Sequence, residues 1–164
     1  MNKKYKGGFT LIEILVVIGI IAILAAIVII AINPAKQFAQ ARNTQRESNV
    51  EAILNAIGQR MADNRGVFAG AFNTYTCPAL PDIGSQAAEI YTGNSSYDAV
   101  AHTIGLDCLT PTYIAIFPVD PAMASGSTDV GYTVEQTSAG RVKVCAPKAT
   151  EASIPGSAPI CVTR

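Results

Sequence analysis

Glu13 is the only ionisable side chain in the 24 residues from Phe9 to Ile32, and Thr10 is the only other polar one. An ionised carboxylate in apolar surroundings is unfavourable by on the order of several kcal/mol unless it is paired or protonated. A cut between Gly8 and Phe9 would create an α-amino group at Phe9, four residues before Glu13. That amine is the natural partner for the carboxylate, in the same chain or in a neighbour. The plainer alternative is a Glu13 lying in the headgroup layer. The other reactive side chains are four cysteines, Cys77, Cys108, Cys145 and Cys161, all after the apolar run. An even count of cysteines outside a membrane points to disulfides, with three possible pairings. Cys77–Cys108 and Cys145–Cys161 are the expected pairs, because each closes a short loop and the two do not cross. The alternative is four small buried thiols. No C-x-x-C is present, and the single histidine, His102, has no base, nucleophile or ligand near it in sequence. No metal, no cofactor and no catalytic set is expected.

The apolar run sets the architecture. It has no polar face and no alternation, so it reads as a membrane-spanning helix or one covered on every side. At about 1.5 Å rise per residue it is long enough for a hydrocarbon core of roughly 30 Å. Lys3, Lys4 and Lys6 precede it. By the positive-inside tendency they leave the N-terminus in the cytoplasm and the rest of the chain outside. Gly19 softens the run, and Asn33-Pro34 interrupts it. Proline removes a helical hydrogen bond, so a kink or a helix start is expected there, with Asn33 as a weak cap.

From Pro34 to Arg65 helical composition resumes. Val50, Ile53, Leu54, Ile57 and Met61 form one apolar stripe for a sheet, and Gly66 is the expected C-cap. Arg42 to Asn49 is polar all round. It is either a solvated face or one paired between subunits, with Glu47 and Glu51 meeting arginines such as Arg42 or Arg46 of another copy. Residues 67–110 are punctuated by Pro and Gly, with a short helix expected over Ile83 to Tyr91. Gly131-Tyr132-Thr133-Val134-Glu135 and Arg141-Val142-Lys143-Val144-Cys145 alternate as strands around a hairpin at Thr137–Gly140. A last edge strand is expected from Ala158 to Thr163.

Chain length, at 164 residues, gives room for one small domain. Twelve basic residues balance twelve acidic ones, so removing the three leading lysines leaves side chains at net −3, without a general footprint for nucleic acid. Arg141, Lys143 and Lys148 form a small basic group that reads as a solvated strand face rather than a DNA-capture site. Asn94-Ser95-Ser96 is a formal glycosylation triplet best read as a chance match.

Lys3, Lys4, Lys6, Gly7 and Gly8, followed by Phe9-Thr10-Leu11-Ile12-Glu13 and the long apolar run, resemble the class III signal of type IV pilins and type II secretion pseudopilins. The likeness is close over residues 1–65 and looser beyond. It implies that a prepilin peptidase removes leader residues 1–8, cutting after Gly8 and methylating Phe9. It also implies that Glu13 neutralises the N-terminus of an adjacent subunit during assembly. Unlike an ordinary secretory signal, the cut precedes the apolar region, which stays in the mature chain. The implied fold is α+β and pilin-like: a long kinked N-terminal helix packed on a small antiparallel β-sheet. Residues 9–33 would be its transmembrane and filament-core half and 34–65 its amphipathic half. Residues 66–164 would be a globular head with an αβ-loop and the sheet. Gly19 and Pro34 would be the points where such helices bend or loosen, although Pro34 lies a little later than the family's usual proline. The order Pro118-Val119-Asp120-Pro121, a Tyr-bearing strand, a hairpin and a strand ending in Cys145-Ala146 is similar to the C-terminal half of these proteins. Asp120 and Asp129 bracket a loop where major pseudopilins bind calcium, but this loop lacks a dense run of oxygen ligands.

The resemblance implies a non-enzymatic structural subunit: the major pilin of a type IV pilus-like filament, or alternatively a pseudopilin or minor pilin. Its partners would be copies of itself in a helical filament, the peptidase, and pilus assembly machinery of the inner membrane. It would be a single-pass membrane protein first and part of a cell-surface filament later.

Overall fold

The computed structural model describes residues 8–72, 75–82 and 86–164. Lys3, Lys4, Lys6 and most of the expected leader lie outside them. The chain divides into two units, Met1–Phe38 and Ala39–Arg164.

In the first unit, helix α1 runs Leu11–Ala31, about 31 Å at ~1.5 Å per residue. It continues unbroken through Gly19. Its last hydrogen bond is Ile32 N–H to the Val28 carbonyl, 3.1 Å. Helix α2 then starts afresh and spans Pro34–Asp63. Of the two readings at Asn33-Pro34, the helix start holds, and the single kinked helix of the pilin-like expectation is corrected to two helices. Asn33 caps the second, its Oδ1 accepting from the Lys36 N–H at 3.3 Å. Pro34 takes the first helical position, where a missing N–H leaves no bond unmade. The proline therefore begins a helix instead of bending one.

The second unit is built on α2. Val50, Ile53, Leu54, Ala56 and Ile57 are buried along one face. At the far end, Arg65 adopts φ +56° and Gly66 φ +88°, and the Gly66 N–H donates to the Met61 carbonyl at 2.7 Å. This six-to-one closure puts Arg65 in the left-handed C′ position, one residue before Gly66, the residue expected to cap the helix. A small hairpin follows, β1 (Gly70–Phe72) with β2 (Tyr75–Cys77).

The main sheet has six strands: β3 (Ala88–Tyr91), β4 (Tyr97–Asp98), β5 (Thr103–Gly105), β6 (Asp129–Gln136), β7 (Val142–Ala146) and β8 (Ile160–Thr163). Their spatial order is β4-β5-β3-β6-β7-β8. The expected antiparallel sheet is corrected to a mixed one, because β3 and β5 pair in parallel. The chain leaves β3, skips one position to form β4, and returns antiparallel into the gap as β5. Gly105 makes that return possible: a Cβ there would overlap Asn94, whose carbonyl accepts from the Asp107 N–H at 3.2 Å. The helix expected over Ile83–Tyr91 is also overturned. Residues 83–85 lie outside the description, and Ala88–Tyr91 is a strand held between β5 and β6. Pairing on both sides outweighs the local helical composition.

The core lies between the α2 stripe and the inward residues of the sheet, among them Ile90, Ile104, Val130, Tyr132, Val134 and Val144. Phe68, Leu80, Leu106, Leu109 and Phe117 close it from the connecting segments.

Candidate functional site

Thr10 and Glu13 form a reciprocal cap at the start of α1. The Glu13 N–H donates to Thr10 Oγ1 at 3.3 Å, while Glu13 Oε2 accepts from the Thr10 N–H and hydroxyl, each at 2.8 Å. This capping box satisfies donors that the first turn would leave open. The carboxylate therefore has partners within its own turn. Gly8 is exposed, and Phe9 is 87% exposed beside it. Along α1 the apolar side chains from Leu11 to Ile30 are exposed around the whole circumference. Residues Leu11–Ile30 are long and apolar enough to cross a membrane. The helix offers one carboxylate at its start and an unbroken hydrocarbon surface after it. Such a surface can be satisfied by lipid or by other apolar helices.

The polar middle of α2 has a solvated face and a face turned into its own domain. Arg46 is 0% exposed. Its Nε donates to Asp120 Oδ2 at 2.7 Å and its Nη2 to Asp120 Oδ1 at 3.1 Å, a two-pronged pair. Its Nη1 donates to Glu151 Oε1 at 2.6 Å and to Asn43 Oδ1 at 2.8 Å. Arg42 grips the same Glu151 through Nε at 2.8 Å and Nη2 at 2.7 Å. Two guanidinium groups thus meet two carboxylates, and the cluster is neutral. Neutrality and saturated hydrogen bonding are what allow charges to be buried at all. Arg42 first, then Arg46, hold the Glu151 carboxyl down at about 2, against an ordinary 4.5. The Arg46 guanidinium is raised above its usual value, chiefly by Asp120.

Local geometry delivers Asp120 to this position. The Asp120 N–H donates to the Val130 carbonyl at 2.9 Å, and its Oδ1 also accepts from the Ala122 N–H at 2.8 Å. Gly131, at φ +81°, passes so close that a Cβ would lie 2.7 Å from the Asp120 Cβ. Nearby, Asn49 Nδ2 donates to the hydroxyl of buried Tyr132 at 2.8 Å, and Asn43 Nδ2 to the Ala149 carbonyl at 3.1 Å. One face of the segment, Arg42, Asn43, Arg46 and Asn49, is the seam of its own domain, while Thr44, Gln45, Glu47 and Ser48 are exposed, as the solvated-face reading expects. The pairing of Arg42 or Arg46 with Glu47 and Glu51 of another copy is corrected accordingly.

Disulfides join Cys77 to Cys108, Cα atoms 5.4 Å apart, and Cys145 to Cys161, 4.1 Å apart. Cys145 and Cys161 face each other across β7 and β8. Val142 and Arg164 exchange both backbone bonds, at 2.8 and 2.9 Å, so by alternation the cysteines form a non-hydrogen-bonded pair, where strands approach closest.

The remaining candidates are dispersed. Asp129 Oδ1 accepts from the Gly131 N–H, and Asp120 is engaged by Arg46. Lys143 pairs with Glu135 at 2.7 Å, Lys148 Nζ contacts Met123 Sδ, and Arg141 is exposed. His102 is half-buried at φ +51°, on the turn before β5. Asn94 is exposed, beside Gly105. Among the described residues no group of three or more His, Cys, Asp or Glu side chains could hold a metal ion.

Sequence reasoning missed the charged seam, yet a signal was present. Arg46 lies four residues before Val50 and seven before Ile53, and Arg60 three after Ile57. Both fall on the apolar stripe, where a charge demands a partner.

Comparison with known proteins agrees with the N-terminal reading alone. Residues 3–31 match a family model described as the prokaryotic N-terminal methylation motif. No curated protein and no solved structure matches the chain.

Proposed function

We propose that this chain is a structural subunit of a type IV pilus-like filament, held in a membrane by α1 before assembly and by helix packing after it. The match over residues 3–31 carries the proposal, supported by the exposed apolar side chains of α1 from Leu11 to Ile30 among the described residues. A prepilin peptidase would cut after Gly8 and methylate Phe9. Glu13 would then exchange its Thr10 contacts for the Phe9 amine of a neighbouring subunit. Moving α1 from lipid into a bundle of like helices gains little, since both surroundings are apolar. Charge pairing at Glu13 would therefore choose which register the subunits adopt. A repeated contact that does not close on itself gives a filament.

The test is cryo-electron microscopy of filaments sheared from native cells, with mass spectrometry of the same material. A subunit traced from a methylated Phe9 and repeating along the fibre supports a major pilin. A processed chain that is scarce in filaments built from another protein moves the assignment to pseudopilin or minor pilin. An intact Gly8–Phe9 bond in native cells overturns the proposal.

A further inference from the structure

The two disulfides sit in unlike surroundings. Cys77 and Cys108 are 2% and 1% exposed and belong to the core cluster. Cys145 is 9% exposed, but its partner Cys161 is exposed, on β8 at the edge of the sheet. We propose that Cys145–Cys161 is a thiol-exchangeable latch on β8, open to a dithiol reductant, while Cys77–Cys108 is closed to it. This does not depend on the filament reading.

Exchange needs a thiolate to reach a sulfur, and exposed disulfides are the labile ones. The reductant's thiolate attacks Cys161 Sγ and forms a mixed disulfide. The Cys145–Cys161 bond breaks, and its electron pair leaves on Cys145 Sγ, which takes up a proton. The reductant's second thiol then displaces Cys161 as its thiol. In sum, two electrons and two protons pass from the dithiol to the cystine.

The structure also defines what the latch releases. Upstream of β8 the chain is pinned at Ala149 by Asn43 and at Glu151 by Arg42 and Arg46. Among the described residues, 152–164 have no comparable charged anchor. They are held by pairing with β7, by Ile160 and Val162 packed against the core, by turn bonds with Ser157 Oγ on the Glu151 carbonyl, and by Arg164 on exposed Asn55. Breaking the bond leaves a four-residue edge strand on its ladder, on the partly buried Ile160 and Val162 side chains and on the Arg164 contact with Asn55. When β8 opens, β7 becomes the edge and the backbone groups of Val142 lose their partner Arg164.

The test takes the processed full chain in detergent, treats it with dithiothreitol under native conditions, traps free thiols with iodoacetamide and maps them by mass spectrometry. Cys145 and Cys161 are expected to label at least about tenfold faster than Cys77 and Cys108, following exposure. Hydrogen exchange on the same partly reduced sample should rise over residues 142–146 and 160–164 and stay unchanged over 75–77. Equal reduction of both bonds, or earlier reduction of Cys77–Cys108, overturns the accessibility claim. Selective reduction with β8 still protected overturns the latch.

Discussion

At the scale of single residues, Arg46 carries the largest electrostatic risk in the second unit. Its guanidinium is fully buried, and only the carboxylates of Asp120 and Glu151 with Asn43 make that tolerable. Replacing Asp120 by alanine leaves the cation buried with half its partners. The expected loss is about 3–5 kcal/mol, read as a lowered urea midpoint of the processed chain. Replacing Arg46 by methionine together with Asp120 by leucine should recover much of it, because apolar groups of similar volume remove the stranded charge. Glu151 gives the cluster a pH signature. Its folded value of about 2 lies below its ordinary 4.5, so its stabilising share is complete above pH 4.5 and disappears as pH falls through about 2. The stability advantage of the native chain over Glu151→Gln should therefore shrink across that interval. An advantage independent of pH from 5 down to roughly 2 would remove the Arg42 and Arg46 pairing as its cause.

Among the elements, what was legible followed short-range patterning. The α1 run, the α2 stripe, the β6–β7 hairpin and the edge strand β8 each show in the sequence, through apolar periodicity or turn residues close to their ends. What was not legible depended on distant chain. Ala88–Tyr91 looks as helical as extended until β5 and β6 pair with it, and the parallel β3–β5 contact rests on Gly105 yielding to Asn94. The helix break was half legible: Asn33-Pro34 marked the place, but the local pattern allowed a bend as well as a stop. The stop makes its own prediction. Asn33→Ala removes the acceptor for the Lys36 N–H and should weaken the first turn of α2 by about 1 kcal/mol. Amide exchange at Lys36 should rise roughly fivefold, with Asn33→Asp close to the native value. Unchanged exchange in Asn33→Ala would mean that Pro34 alone starts the helix.

For the whole molecule, the division at Phe38 and Ala39 separates two ways of satisfying apolar surface. The residues from Ala39 onward bury theirs against one another, around the α2 stripe and the six-stranded sheet, with two disulfides and a closed charge cluster. Among the described residues, the apolar side chains of α1 from Leu11 to Ile30 are exposed. Stability of the second unit and assembly of the proposed filament should then be separable properties. A chain beginning at Ala39 is expected to fold in water without detergent, form Cys77–Cys108 and Cys145–Cys161, and unfold cooperatively. Linking residues 31 and 16 apart respectively, the two bonds would each stabilise it by about 3–4 kcal/mol. Because α1 carries the exposed apolar surface among the described residues, this shortened chain should sediment as a monomer at tens of micromolar, a roughly typical working range for weak contacts. Ordered fibres from residues 39–164 alone would shift the assembly determinant from α1 to the head. A monomer that keeps both disulfides would leave the apolar helix and Glu13 as the determinants of assembly.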